Sequence, residues 1–121
     1  LAILVLLVFL VSIRSTLAEG HTGLSDFRVR MEQFYQDNRT YDGAGLDNCG
    51  AATPANATNF AYNCRSLGQT YTAIATGNAA SRAAGFTFTI NEQNTRATTA
   101  AKAGWESANM ATCWITRKGS C

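Results

Sequence analysis

Eleven consecutive apolar residues, Leu1 to Val11, open the chain and leave no polar face. A helix that is apolar all round does not lie on the surface of a soluble core; it is buried on every side, in lipid or among copies of itself. Crossing a bilayer takes roughly 20 apolar residues, and Arg14 ends this run short of that. Thr16-Leu17-Ala18 would suit cleavage of an export signal, but such signals carry a basic stretch ahead of the apolar run and none is found here. Burial by self-assembly accounts best for residues 1–13, with Leu1, Leu4, Val5, Leu7, Val8, Leu10 and Val11 as the assembly side chains. Removing residues 1–18 is expected to leave a soluble monomer.

Past the run, Ile13, Leu17, Gly20, Leu24, Phe27, Met31 and Phe34 recur at three- and four-residue steps, the stripe of an amphipathic helix. The pattern predicts one long helix over residues 1–38. Leu24, Phe27, Met31 and Phe34 face a partner layer, while Arg28 and Glu32 face away. Gly20 and Gly23 each weaken a helix by about 1 kcal/mol relative to alanine, so a kink is expected near Glu19-Gly20-His21-Thr22-Gly23. Turn formers from Asp37 to Gly43 end the helix near Asn38. Residues 39–57, rich in Gly, Ala, Asn and Asp and holding the single proline, Pro54, form a long loop.

The period then changes from 3.6 to 2. Phe60–Cys64, Thr70–Thr76 and Gly85–Ile90 are rich in aromatic and β-branched residues and alternate as strands do. Asn91-Glu92-Gln93-Asn94 is a turn, Thr95–Thr99 a weaker return strand, and Thr112–Thr116 a short final strand. The expected fold class is α+β: the long helix packed on an antiparallel meander of about four strands spanning residues 58–121, its C-terminus stapled by a disulfide.

Four cysteines in a chain of 121 residues imply staples, because a domain this small buries a modest core. Zinc is disfavoured: Cys49 and Cys64, like Cys113 and Cys121, lie too far apart for a C-x-x-C site, and the one histidine, His21, is remote from both pairs. Of the three pairings that four cysteines permit, Cys49–Cys64 with Cys113–Cys121 closes the shortest loops, at the least entropy. An oxidising compartment, periplasm or cell exterior, follows. The net charge of +2 divides unevenly, acidic before Gly50 and +4 from there on, a weak preference for anions and no nucleic-acid signature.

Catalysis is not expected, and neither is a cofactor. A nucleophile–histidine device would need His21, which sits between glycines on the helix and is expected to be exposed and idle. The distal half holds only two acids, Glu92 and Glu106. Gly43-Ala44-Gly45 lacks the strand-to-helix context of a phosphate loop. Asn38-Arg39-Thr40 and Asn56-Ala57-Thr58 fit the glycosylation sequon, as chance alone would allow in a chain this rich in Asn and Thr.

The apolar head, followed by Arg28-Val29-Arg30-Met31-Glu32-Gln33-Phe34-Tyr35-Gln36-Asp37-Asn38-Arg39-Thr40-Tyr41, resembles the type IV pilins of Gram-negative bacteria. In that family an (R/Q)-x-x-(M/E)-E-x-(F/Y)-Y-x-x-N-x-x-Y stretch leads out of the long helix into the loop. Gly85–Ile90 and Cys113-Trp114-Ile115-Thr116-Arg117-Lys118-Gly119 are similar to the family's central strand and stapled C-terminus. The family's methylated aromatic N-terminus and its nearby glutamate have no counterpart. The resemblance therefore implies roughly a dozen further residues ahead of Leu1, restoring a spanning length of about 20. It also implies a structural subunit, held in the inner membrane and then moved by the pilus assembly machinery into a helical homopolymer outside the cell, serving motility, adhesion or DNA uptake. The alternatives are a minor pilin that displays a DNA- or surface-binding patch around Trp114, Arg96, Lys102, Arg117 and Lys118, and a type II secretion pseudopilin. The scattered cations make nucleic acid an unexpected partner at physiological salt, and the acid-poor stretch from Lys102 to Cys121 offers no calcium site of the pseudopilin kind.

Overall fold

The computed structural model describes residues 2–43, 49–54 and 59–121, and of residues 2–12 the backbone alone. Leu1, the end of Gly43-Ala44-Gly45 and the whole Asn56-Ala57-Thr58 sequon lie outside the described residues. Helix α1 runs from Ala2 to Asn38, about 55 Å at 1.5 Å per residue. It ends where Arg39 adopts a left-handed φ of 58°, its N–H donating to the Tyr35 carbonyl at 2.7 Å. The Asn38 side-chain amide donates to the Phe34 carbonyl at 3.0 Å, satisfying another of the carbonyls that a helix end leaves free.

Four strands follow: β1 (Phe60–Ser66), β2 (Tyr71–Gly77), β3 (Thr87–Asn91) and β4 (Arg96–Ala100). They pair antiparallel in chain order, with Cys64 opposite Ala73, Ala73 opposite Ile90 and Phe88 opposite Thr98. Side chains alternate across the sheet; Phe60, Cys64, Tyr71, Ala73, Ala75, Phe88 and Ile90 are buried towards α1, while Asn63, Arg65, Thr72 and Thr76 meet solvent. The β3–β4 turn is closed by the Asn91 carboxamide, which accepts from the N–H groups of Gln93 and Thr95 at 3.0 and 2.9 Å.

On the helix, Ile13, Leu17, Leu24, Phe27 and Met31 are essentially inaccessible, with Thr16 close behind. Ile13, Thr16 and Leu17 thus belong to the chain's own core. A cut after residue 18 removes them, since among the described side chains the intramolecular core reaches back to Ile13.

Three expectations for α1 need correction. The helix continues unbroken through Gly20 and Gly23, because both glycines admit aromatic rings from β1. A Cβ on Gly20 would stand 2.8 Å from Cζ of Phe60, and one on Gly23 would collide with the Tyr62 hydroxyl. Phe34 leaves the helix–sheet core: it is half-buried and its ring lies against Gly50, since the last helical turn is covered by the following loop and not by strands. Arg28 and Glu32 are half-buried too, and Glu32 accepts the Tyr41 hydroxyl at 3.1 Å.

The loop after α1 is fastened to the β1–β2 hairpin. Tyr41 donates its N–H to the Gly68 carbonyl at 2.7 Å, and the Asp42 carboxylate accepts from the Ser66 hydroxyl and from the Gly68 N–H. Those two donors hold the Asp42 carboxyl below its ordinary range. The Tyr35 hydroxyl donates to Gln69 at 2.5 Å and its ring stacks on Tyr41 at 4.6 Å. Burial and the Glu32 carboxylate push the Tyr41 phenol up to about 12.

Candidate functional site

Each disulfide fastens irregular chain, one to the sheet and one to itself. Cys49–Cys64 fixes the loop to β1, with Cα atoms 5.9 Å apart. Cys113–Cys121 closes the C-terminal segment, with Cα atoms 6.0 Å apart. No free cysteine remains among the described residues, and no group of His, Cys, Asp and Glu among them could hold a metal ion.

The expected final strand at Thr112–Thr116 is not formed. A 3-10 turn covers Met110–Thr112, and beyond an isolated Arg117–Ser120 bridge the segment joins no strand ladder. A side chain takes the ladder's place. Thr98, buried on β4, donates its hydroxyl to the Cys113 carbonyl at 2.9 Å and accepts the Ile115 N–H at 3.0 Å. One hydroxyl satisfies two main-chain groups that would otherwise be stranded beside buried Ile115. Trp114 adds a bond from its indole N–H to the Thr89 carbonyl at 2.8 Å.

His21 is neither exposed nor idle. Its half-buried ring stacks on Trp114 at 5.0 Å with the planes 11° apart, and meets Phe88 edge-on at 4.5 Å. The Arg96 guanidinium lies 4.6 Å from the centre of the Trp114 rings. Burial, reinforced by Arg96, pushes the imidazole pKa down to about 4 from 6.5. Alongside runs an open groove of about 460 Å³, lined by His21, Ser25, Arg96, Thr112, Trp114 and Thr116 among others. Tertiary structure gathers these residues from α1, β4 and the C-terminal segment. Periodicity places His21 beside the core stripe but cannot show that Trp114 folds back onto it.

Of the assembly residues, Leu4, Val5, Leu7, Val8, Leu10 and Val11 stand on the helical backbone of α1, their side chains outside the described residues, as is Leu1. Among the described residues, no helix is long and apolar enough to cross a membrane. Lys102, Arg117 and Lys118 are exposed, as is Arg96. Arg96, on β4, lines the groove, whereas Lys102, Arg117 and Lys118 do not.

A long N-terminal helix packed on a four-stranded antiparallel meander with a C-terminal disulfide loop is a type IV pilin-like fold. Among solved structures, the chain is similar to the Neisseria meningitidis non-core minor pilin PilV, with a TM-score of 0.59 and 18% sequence identity over 77% of this chain and 92% of that one. No protein-family model and no curated protein matches the sequence.

Proposed function

We propose that the chain is a structural subunit of a type IV pilus, polymerising through its apolar N-terminal helix into an extracellular filament and residing in the inner membrane before assembly. The observation that carries this reading is the continuity of α1 from Ala2 to Asn38. The apolar run shares one helix with the stripe that anchors the sheet, so any force on the run reaches the stapled domain. During assembly the run exchanges lipid for neighbouring helices and its apolar surface stays out of water throughout. Each buried Leu or Val there contributes about 1.5–3 kcal/mol. The sheet and both disulfides form the outer wall and catalyse nothing.

Leu7→Asp is expected to abolish polymerisation, because a charge in an apolar helix core has no partner, while leaving the stapled domain folded. Removal of residues 1–12, which spares Ile13 and Leu17, is expected to give a monomer. Filaments of native diameter from either variant refute the reading. The exposed Arg96, Arg117 and Lys118 favour, as a second reading, a minor subunit displaying a binding surface. DNA binding at physiological salt that is lost with Arg117→Ala and Lys118→Ala together would carry it.

A further inference from the structure

We propose that His21 is a protonation-sensitive latch, holding the stapled segment 113–121 against α1 and the β4 edge at neutral pH and releasing it in acid.

The geometry suits a neutral imidazole and not a charged one. The ring is enclosed by Trp114 on one side and the edge of Phe88 on another. Its Nε2 is buried with no hydrogen-bond partner among the described residues. A neutral ring tolerates this; an imidazolium presents a proton at both nitrogens and needs acceptors for them. From β3 the facing group is Phe88 and from the C-terminal segment Trp114, neither of which is an acceptor of that kind. From β4 it is Arg96, a cation. On α1, Glu19 is engaged by the Asn59 carboxamide at 2.6 Å, and the adjoining groove has no side-chain carboxylate in its lining. Arg117 and Lys118, on the same segment as Trp114, add only positive charge. An imidazolium stacked on an indole gains cation–π attraction, but Arg96 already holds that interaction with Trp114 and repels a second cation.

Beyond the burial of Trp114 and Ile115 in the core, the segment is held to the sheet by polar ties. Thr98 and Thr89 hold Cys113, Trp114 and Ile115, and the Cys113–Cys121 disulfide closes the segment on itself without joining it to the sheet. Loss of the His21 stack therefore acts on a small docked unit, the kind of element that opens locally without global unfolding.

The sign follows from proton linkage. Released, the imidazole regains its ordinary pKa of 6.5, whereas docked it is depressed to about 4. Between those values the released state binds more protons, so docking is fully stable above about pH 6.5 and weakens as pH falls towards 4. The opening equilibrium is expected to rise about ten- to thirtyfold between about pH 7 and about pH 5.

His21 is the chain's single histidine, so its imidazole proton resonance needs no assignment. The test follows that resonance, and the hydrogen exchange of the two tryptophan indole N–H groups corrected for intrinsic rate, in the full chain in detergent micelles. Protection of Trp114 is expected to fall by the stated factor while Trp105 stays protected, and His21→Phe is expected to remove the pH dependence. Arg96→Gln, which leaves the His21 stack in place, is expected to raise the His21 titration midpoint. Trp114 protection that is flat across the range, a fall that persists in His21→Phe, or a His21 midpoint near 6.5 in the wild type would each overturn the latch.

Discussion

Alanine at position 20 should destabilise the protein, although helix propensity alone points the other way. In an exposed helix, Gly→Ala gains about 1 kcal/mol. Here the new methyl lands 2.8 Å from Cζ of Phe60 and 3.0 Å from both Cε atoms, against the roughly 3.5–4.0 Å at which carbon atoms rest. Phe60 has no room to retreat: it is 0% exposed and its ring centre is 6.0 Å from that of Phe88. Overpacking of this kind costs about 1–3 kcal/mol. The balance is a net loss of about 1 kcal/mol, or a fall in Tm of about 4 °C for a domain of this size. Calorimetry on the full chain in micelles reads the shift. Adding Phe60→Leu to Gly20→Ala should reverse part of the methyl's effect, giving a coupling energy between the two sites. Gly23→Ala should cost less, because Tyr62 is only half-buried and can turn outward, away from the Glu19 carbonyl, whereas Phe60 is enclosed. A rise in Tm for Gly20→Ala would refute the ring-in-notch account.

Phe27→Ala should lose about 3–5 kcal/mol through a core cavity, and Glu32→Ala about 0.5–1.5 kcal/mol through its bond to Tyr41; equal denaturation midpoints would contradict this ranking. Thr98→Val keeps the side-chain shape but strands the Cys113 carbonyl and the Ile115 N–H, a loss of about 1–3 kcal/mol that guanidinium unfolding would register. Unchanged stability would mean that the C-terminal segment is docked by something other than that hydroxyl.

The α+β architecture is legible in the one-dimensional pattern because a helical stripe and alternating strands are local periodicities. Leu24, Phe27 and Met31 lie three and four residues apart whatever they pack against, and Asn91 closes its turn with its own neighbours. What the pattern could not decide is which distant groups meet. Gly20 and Gly23 look like weak points until Phe60 and Tyr62, some forty residues on, fill the space they leave. Thr112–Thr116 has the composition of a strand, yet Thr98 supplies its hydrogen bonds from the side and no ladder forms. Phe34 continues the stripe but outruns the sheet. His21 differs from an exposed histidine only because Trp114 returns to cover it from the far end of the chain. Local spacing determines which face of an element is apolar; burial, hydrogen-bond partners and the protonation of His21 depend on what the fold lays against that face, and that is a property of contacts distant in sequence.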